Sequence, residues 1–179
     1  MTLFQRILTV PLAIALSCTA PSALARQASA RPSGQDWNTV AFEMKSWARP
    51  ISSWIIFSGG SGSWTDTVAE PNAPLSQYKL VMHEVEVGER GYGALVAILR
   101  RLPTPAPDYE ACKSRMTDMP YGTIRLTRGS TTKEISWNAG CMDKDYVAFL
   151  DTLKAANELV GKWGKVGKII RTEDSPASE

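Results

Sequence analysis

Histidine is almost absent from this chain of 179 residues: His83 is the only one. A serine or cysteine nucleophile activated by imidazole would have to use it, and a zinc site could add the cysteines to it only by giving up a disulfide. An excess of one charge is missing too, since 20 lysines and arginines face 18 carboxylates for a formal net charge of +2. No basic run stands out, so nothing would steer the chain to nucleic acid. Long apolar runs are confined to the start, and no later stretch is apolar for long enough to cross a bilayer.

What is present begins with an address. Residues 1–25 carry a single charge, Arg6, ahead of an apolar run over 7–16, and they end on Ala23, Leu24 and Ala25. That is the charged start, apolar middle and small-residue cleavage site of a secretory signal peptide. Cys18 raises lipid modification as a minor alternative, although Leu16 stands one place too near it for that motif. Cleavage after Ala25 would remove Arg6 and leave a mature chain near +1, of a length suited to one domain with one core. The implied location is periplasmic or secreted.

Export decides how the remaining cysteines are read. Cys112 and Cys141 form an even pair in an oxidising compartment and are expected to form a disulfide, with no metal and no cofactor called for.

Residues 26–36 hold Ala, Ser, Pro, Gly and Arg with nothing to pack, and are expected to be a disordered leader. A single domain is expected over 37–168 and a flexible tail over 169–179. Residues 37–47 fit both helical and strand spacing. Strand is favoured, because Pro50 and the β-rich run over 51–57 continue naturally from it. The Ser-Gly-Gly-Ser-Gly-Ser stretch at 58–63 reads as a flexible hairpin connection, residues 70–74 as a loop, and 78–87 as the longest strand. Tyr92, Leu95, Ile98, Leu99 and Leu102 then make a helical stripe that Pro103 ends. After a proline-rich connection over 103–120, alternation across 121–137 around an Arg-Gly-Ser-Thr turn gives a hairpin. A final amphipathic helix starts near Asp143 or Asp145 and is unwound by Gly161, Gly164 and Gly167. The order of strands, helix, strands, helix implies an α+β fold: an antiparallel sheet, a meander plus a C-terminal hairpin, with two helices packed on one face.

Arg49-Pro50 with Trp54 beyond it, the glycine turn leading into an aromatic strand, Asp118-Met119-Pro120-Tyr121-Gly122, Gly140-Cys141, and a terminal helix closing on Trp163 form one set. Across 37–165 they resemble a family of uncharacterised small secreted, periplasmic proteins of Gram-negative bacteria, a domain of unknown function. The resemblance implies export and this fold, and it implies no activity.

Candidates for chemistry each stand beside a plainer reading. His83 sits mid-strand among valines, where a half-buried imidazole bonded to a neighbour is the ordinary outcome. Asp118, with Asp66, Glu84 and Glu86, could supply an acid–base pair, but an aspartate before a Pro-Tyr-Gly turn more commonly accepts backbone hydrogen bonds. Ser61 in the glycine loop could hold an anion through neighbouring amides, yet no P-loop lysine or nucleophile-elbow spacing accompanies it. Among six tryptophans, Trp54, Trp137 and Trp163 fall on inward stripes, whereas Trp64 beside the glycine loop is the best placed for an exposed contact. Lys162, Lys165 and Lys168, at three-residue spacing, could touch an anionic envelope surface, but the plainer reading is a solvated helix end.

The favoured function is therefore a non-catalytic periplasmic binding, inhibitory or accessory module that meets an envelope protein or small ligand through a sheet edge or the Trp64 loop. The alternatives are a small periplasmic hydrolase using His83 or a carboxylate, and an envelope-associated structural protein.

Overall fold

The computed structural model describes residues 37–69 and 77–175. The expected signal segment with Cys18, the leader, and the loop at 70–74 lie outside the described residues.

Alternation settles the first ambiguity. Val40 and Phe42 point inward while Thr39, Ala41 and Glu43 take the opposite face, so this segment is strand β1 (Thr39–Ser46) and not a helix. β2 (Arg49–Phe57) follows after two residues. A register shift between Met44 and Lys45 accommodates Pro50, which cannot donate to a regular ladder. β3 (Ser61–Ala69), β4 (Tyr78–Glu86), α1 (Gly88–Leu99), β5 (Tyr121–Arg128), β6 (Thr131–Asn138), α2 (Lys144–Val166) and β7 (Ile169–Asp174) complete the order. The strands form one seven-stranded sheet, β6-β5-β1-β2-β3-β4-β7, with every neighbouring pair antiparallel.

Strand pleating places Val40, Phe42, Trp54, Ile56, Trp64, Val85, Ile124, Leu126, Ile135 and Trp137 on one face, where they bury with Tyr92, Leu95 and Leu99 of α1 and Phe149, Leu153 and Val160 of α2. Each large aliphatic or aromatic side chain buried here contributes about 1.5–3 kcal/mol through apolar area removed from water. The other face carries hydroxyls (Ser53, Ser63, Thr65, Thr67, Thr123) and the ion pairs Glu43–Lys45 and Arg125–Glu134, as a face turned to solvent does. The α+β expectation holds, as does the disulfide: Cys112 and Cys141 are bonded with Cα atoms 5.9 Å apart, tying the connection before β5 to the segment before α2.

Three local expectations are corrected. The tail expected from residue 169 is strand β7, paired with β4 from Lys79–Asp174 to His83–Ile169, and its backbone bonds form although none of its side chains is buried. The glycines at 161 and 164 do not unwind α2, which runs on to Val166 because both lie against Trp64. Ser61 belongs to a strand and not to a flexible loop. The turn before it is fixed by Gly60, whose carbonyl accepts from Val87 N–H at 2.9 Å and whose missing Cβ leaves room for the backbone of Gly88.

Candidate binding pocket

The sequence candidates for catalysis do not converge. His83 projects beside Trp64, ring centroids 5.2 Å apart, and its Nδ1 donates to the carbonyl of Gly167 at 3.3 Å. Glu84 and Glu86 stand one residue and three residues on, on the opposite face of β4. Asp118 precedes β5, with β1, β2 and β3 between it and β4, and it accepts a 3.5 Å hydrogen bond from the neighbouring Thr117 hydroxyl. Asp66 accepts from the N–H of Thr67. His83 and Asp66 bond backbone groups and Asp118 a neighbouring hydroxyl, and the set supplies no pair around a common point.

Trp64 is also corrected. It is 5% exposed, held between His83 and the glycines of α2, so it is core and offers no contact surface. Cys112, Cys141 and Asp143 come within 4.8 Å of one another, but the sulfurs are bonded to each other and the two Asp143 carboxylate oxygens accept from the N–H groups of Lys113 and Ser114. That cluster reads as a structural knot.

The geometry gathers elsewhere, along the flank of α2. Phe42 is sandwiched between Trp54 and Trp137, each ring centroid 5.4 Å away and nearly parallel. The stack exists because Trp137 of β6 reaches across β5 to β1, and it can cross only at Gly122: a Cβ there would stand 3.0 Å from Trp137 Cζ2 and 1.8 Å from the carbonyl oxygen of Glu43. Beside this stack lies a pocket of about 370 Å³. Met44, Pro120, Phe42 and Trp137 line one side, and Leu150 and Leu153 of α2 the other; Asp151, Lys154, Asn157 and Glu158 give it polar groups.

The two indoles of the stack differ in one respect. Trp54 Nε1 donates to Asn157 Oδ1 at 3.0 Å, an oxygen that also accepts from Ser52 Oγ at 3.4 Å. Trp137 is 6% exposed, and its Nε1 has no hydrogen-bond partner among the described residues. A buried donor left unpaired costs about 1–3 kcal/mol. The other such atom, Thr123 Oγ1, belongs to the opposite face of the sheet. An apolar, aromatic-sided pocket with a few polar groups is the usual form of a small-molecule site.

Sequence reading took Trp137 as core and passed over Asn157. The signal for Asn157 was its position on the inward side of a helix between Leu153 and Val160, where an amide needs a partner. Trp47 was missed as well: it is 77% exposed at the tip of the β1–β2 hairpin. Both residues of that tip are left-handed, Trp47 at φ 51° and Ala48 at φ 60°, and Ala48 N–H donates to Tyr121 Oη at 3.2 Å.

Comparison with protein-family models, with curated proteins and with solved structures finds no match for the chain. No helix among the described residues is long and apolar enough to cross a membrane.

Proposed function

We propose that the protein is an exported, non-catalytic binding module, periplasmic or secreted, whose pocket beside α2 takes a small, largely apolar molecule carrying a hydrogen-bond acceptor. The observation that carries this reading is the unpaired Nε1 of Trp137 in a pocket-lining indole, stacked on the same phenyl ring as a Trp54 whose Nε1 is paired. An acceptor on a ligand that displaces the side chains now covering this nitrogen would do for Trp137 what Asn157 does for Trp54. Asp151 and Glu158 against Lys154 leave the surrounding charge slightly negative, which favours a neutral ligand over an anion. The disulfide and the signal-like start support export.

Indole N–H resonances provide the test. Titration with neutral aromatic carbonyl compounds, acetophenone and benzamide, should move the Trp137 signal, assigned by its loss in Trp137→Phe, and leave the Trp54 signal bonded to Asn157 nearly unchanged. Absence of any shift at millimolar probe, or equal shifts for all the indoles, would remove the reading.

A further inference from the structure

Among the described residues β7 pairs with β4 on one side and with no strand on the other, and all six of its side chains are exposed. Which of its backbone groups face that open edge follows from one bond: Ser175 N–H donates to the carbonyl of Tyr78 at 2.8 Å. Antiparallel partners alternate between hydrogen-bonded and non-bonded pairs, so Glu173, opposite Leu80, and Arg171, opposite Met82, also turn their backbone groups to β4. Thr172 and Asp174 therefore turn theirs outward, as a template for another strand. The opposite edge of the sheet is closed in part, since Asn138 N–H of β6 donates to Tyr146 Oη.

Register decides what this edge accepts. A second β7 laid antiparallel against the first must set outward-facing residues opposite one another. Of the centres near the middle of the strand, Arg171 and Glu173 would each bring like charges face to face. Centring on Thr172 instead puts Arg171 of each copy opposite Glu173 of the other, once on either side of the axis. Those are non-bonded pairs, whose side chains approach most closely. We propose that β7 is the interface of a symmetric dimer of this chain, two sheets joined edge to edge about a twofold axis at Thr172. The contact uses the same strand on both copies and closes at two. Ile169 and Ile170, 55% and 50% exposed, come beside the end of the other copy's strand and lose part of that exposure. In a single copy Arg171 pairs with Glu173 of its own strand, an exposed ion pair that contributes little by itself and is free to exchange across the axis. Six residues of ladder bury less than a standard interface, so the dimer is a weak one that forms as concentration rises.

Sedimentation equilibrium of the protein from about 10 µM to about 1 mM tests it, and a monomer–dimer equilibrium is expected. Arg171→Glu and Glu173→Arg, at unchanged melting temperature, should each raise the dissociation constant by about tenfold or more, because each sets two like-charged pairs across the axis. An equimolar mixture of the two variants should dimerise again, since unlike charges then face each other. Recovery in the mixture reports the contact between copies, because neither variant regains the pair within its own strand. The double exchange Arg171→Glu with Glu173→Arg in one chain keeps both kinds of pair and should dimerise like the parent even if the single changes loosen β7. Lys133→Glu on the other edge strand should leave association unchanged. A protein monomeric at the highest concentration, assemblies that grow beyond two copies, single variants that dimerise undiminished, a mixture or a double exchange that fails to recover, or equal loss in Lys133→Glu would each overturn the proposal.

Discussion

Gly164 of α2 lies under the indole of Trp64 so closely that a Cβ on it would stand 2.4 Å from Cε3 and 2.5 Å from Cδ2. The atoms met belong to a ring packed in the core, with no flexible end that could swing away. Gly161, one turn earlier, faces the same indole at 3.8 Å, an ordinary contact distance. The two glycines should therefore respond oppositely to alanine. Gly161→Ala is expected to stabilise by about 0.5–1 kcal/mol through helix propensity. At Gly164 the same gain is outweighed by an overpacking cost of about 1–3 kcal/mol, and the net should be destabilising. Urea unfolding of both variants decides it, and stabilisation by both would show that Trp64 yields.

The hairpin tip runs against local preference in a way that can be relieved. A residue with a Cβ held left-handed costs about 1–2 kcal/mol, and Ala48 at φ 60° has no side-chain hydrogen bond to offset it. Ala48→Gly should raise stability by about 0.5–1 kcal/mol, and adding Trp47→Asn would complete the Asn-Gly pair that two-residue hairpins favour. Thermal unfolding measures the gain. No change on Ala48→Gly would mean that Tyr121 Oη holds the turn well enough to hide the strain.

Removing the disulfide should be expensive. Cys112 and Cys141 are 29 residues apart in sequence, and the loop they close contains the whole β5–β6 hairpin. Constraint of the unfolded chain by a loop of that size is worth about 3–4 kcal/mol in the chain-entropy account. Cys112→Ala with Cys141→Ala should lose about that much in guanidinium unfolding, and so should the reduced protein. A loss below ~1 kcal/mol would mean that the unfolded hairpin region is already compact.

Tyr146 gives a stability change with a definite sign. Burial pushes its phenol above the ordinary value of 10.0, against the opposing effect of the hydrogen bond it accepts from the backbone N–H of Asn138. A proton held more tightly in the folded state contributes stability that is fully present below pH 10.0 and is lost as pH rises through the higher folded value. Unfolding free energy should fall with pH above that point, and Tyr146→Phe should flatten the fall. An unchanged slope in the variant would assign the effect to other groups.

Much of the architecture was legible because the periods were clean. Ile124 and Leu126 alternate with Thr123 and Arg125, and Tyr146, Phe149 and Leu153 keep helical spacing, so hairpin and helix follow from single-strand and single-helix geometry. β7 was not legible: its six residues are all exposed, and its strand state comes from backbone bonding to β4. Gly161 and Gly164 read as helix breakers because their partner, Trp64, lies about a hundred residues away in the chain. Legibility failed in the same way at the pocket. Trp137 can be seen to reach Phe42 over Gly122 only once β6, β5 and β1 are known to be neighbours. Trp47, by contrast, was readable in principle, since two strand runs separated only by Trp47-Ala48 must place that indole at a tip.

The position of β1 bears on how the protein is made. It is the first strand of the described chain, yet it lies inside the sheet, with β2 on one side and β5 on the other. During synthesis the meander from β1 to β4 can zip up from neighbouring hairpins as it emerges, but its leading strand then has one side without a mate, and Phe42 lacks the Trp137 half of its sandwich. That border closes only when the chain has been made past residue 128. A nascent chain stalled before then presents a ready strand edge to any other copy, so the hazard this topology sets is one of timing.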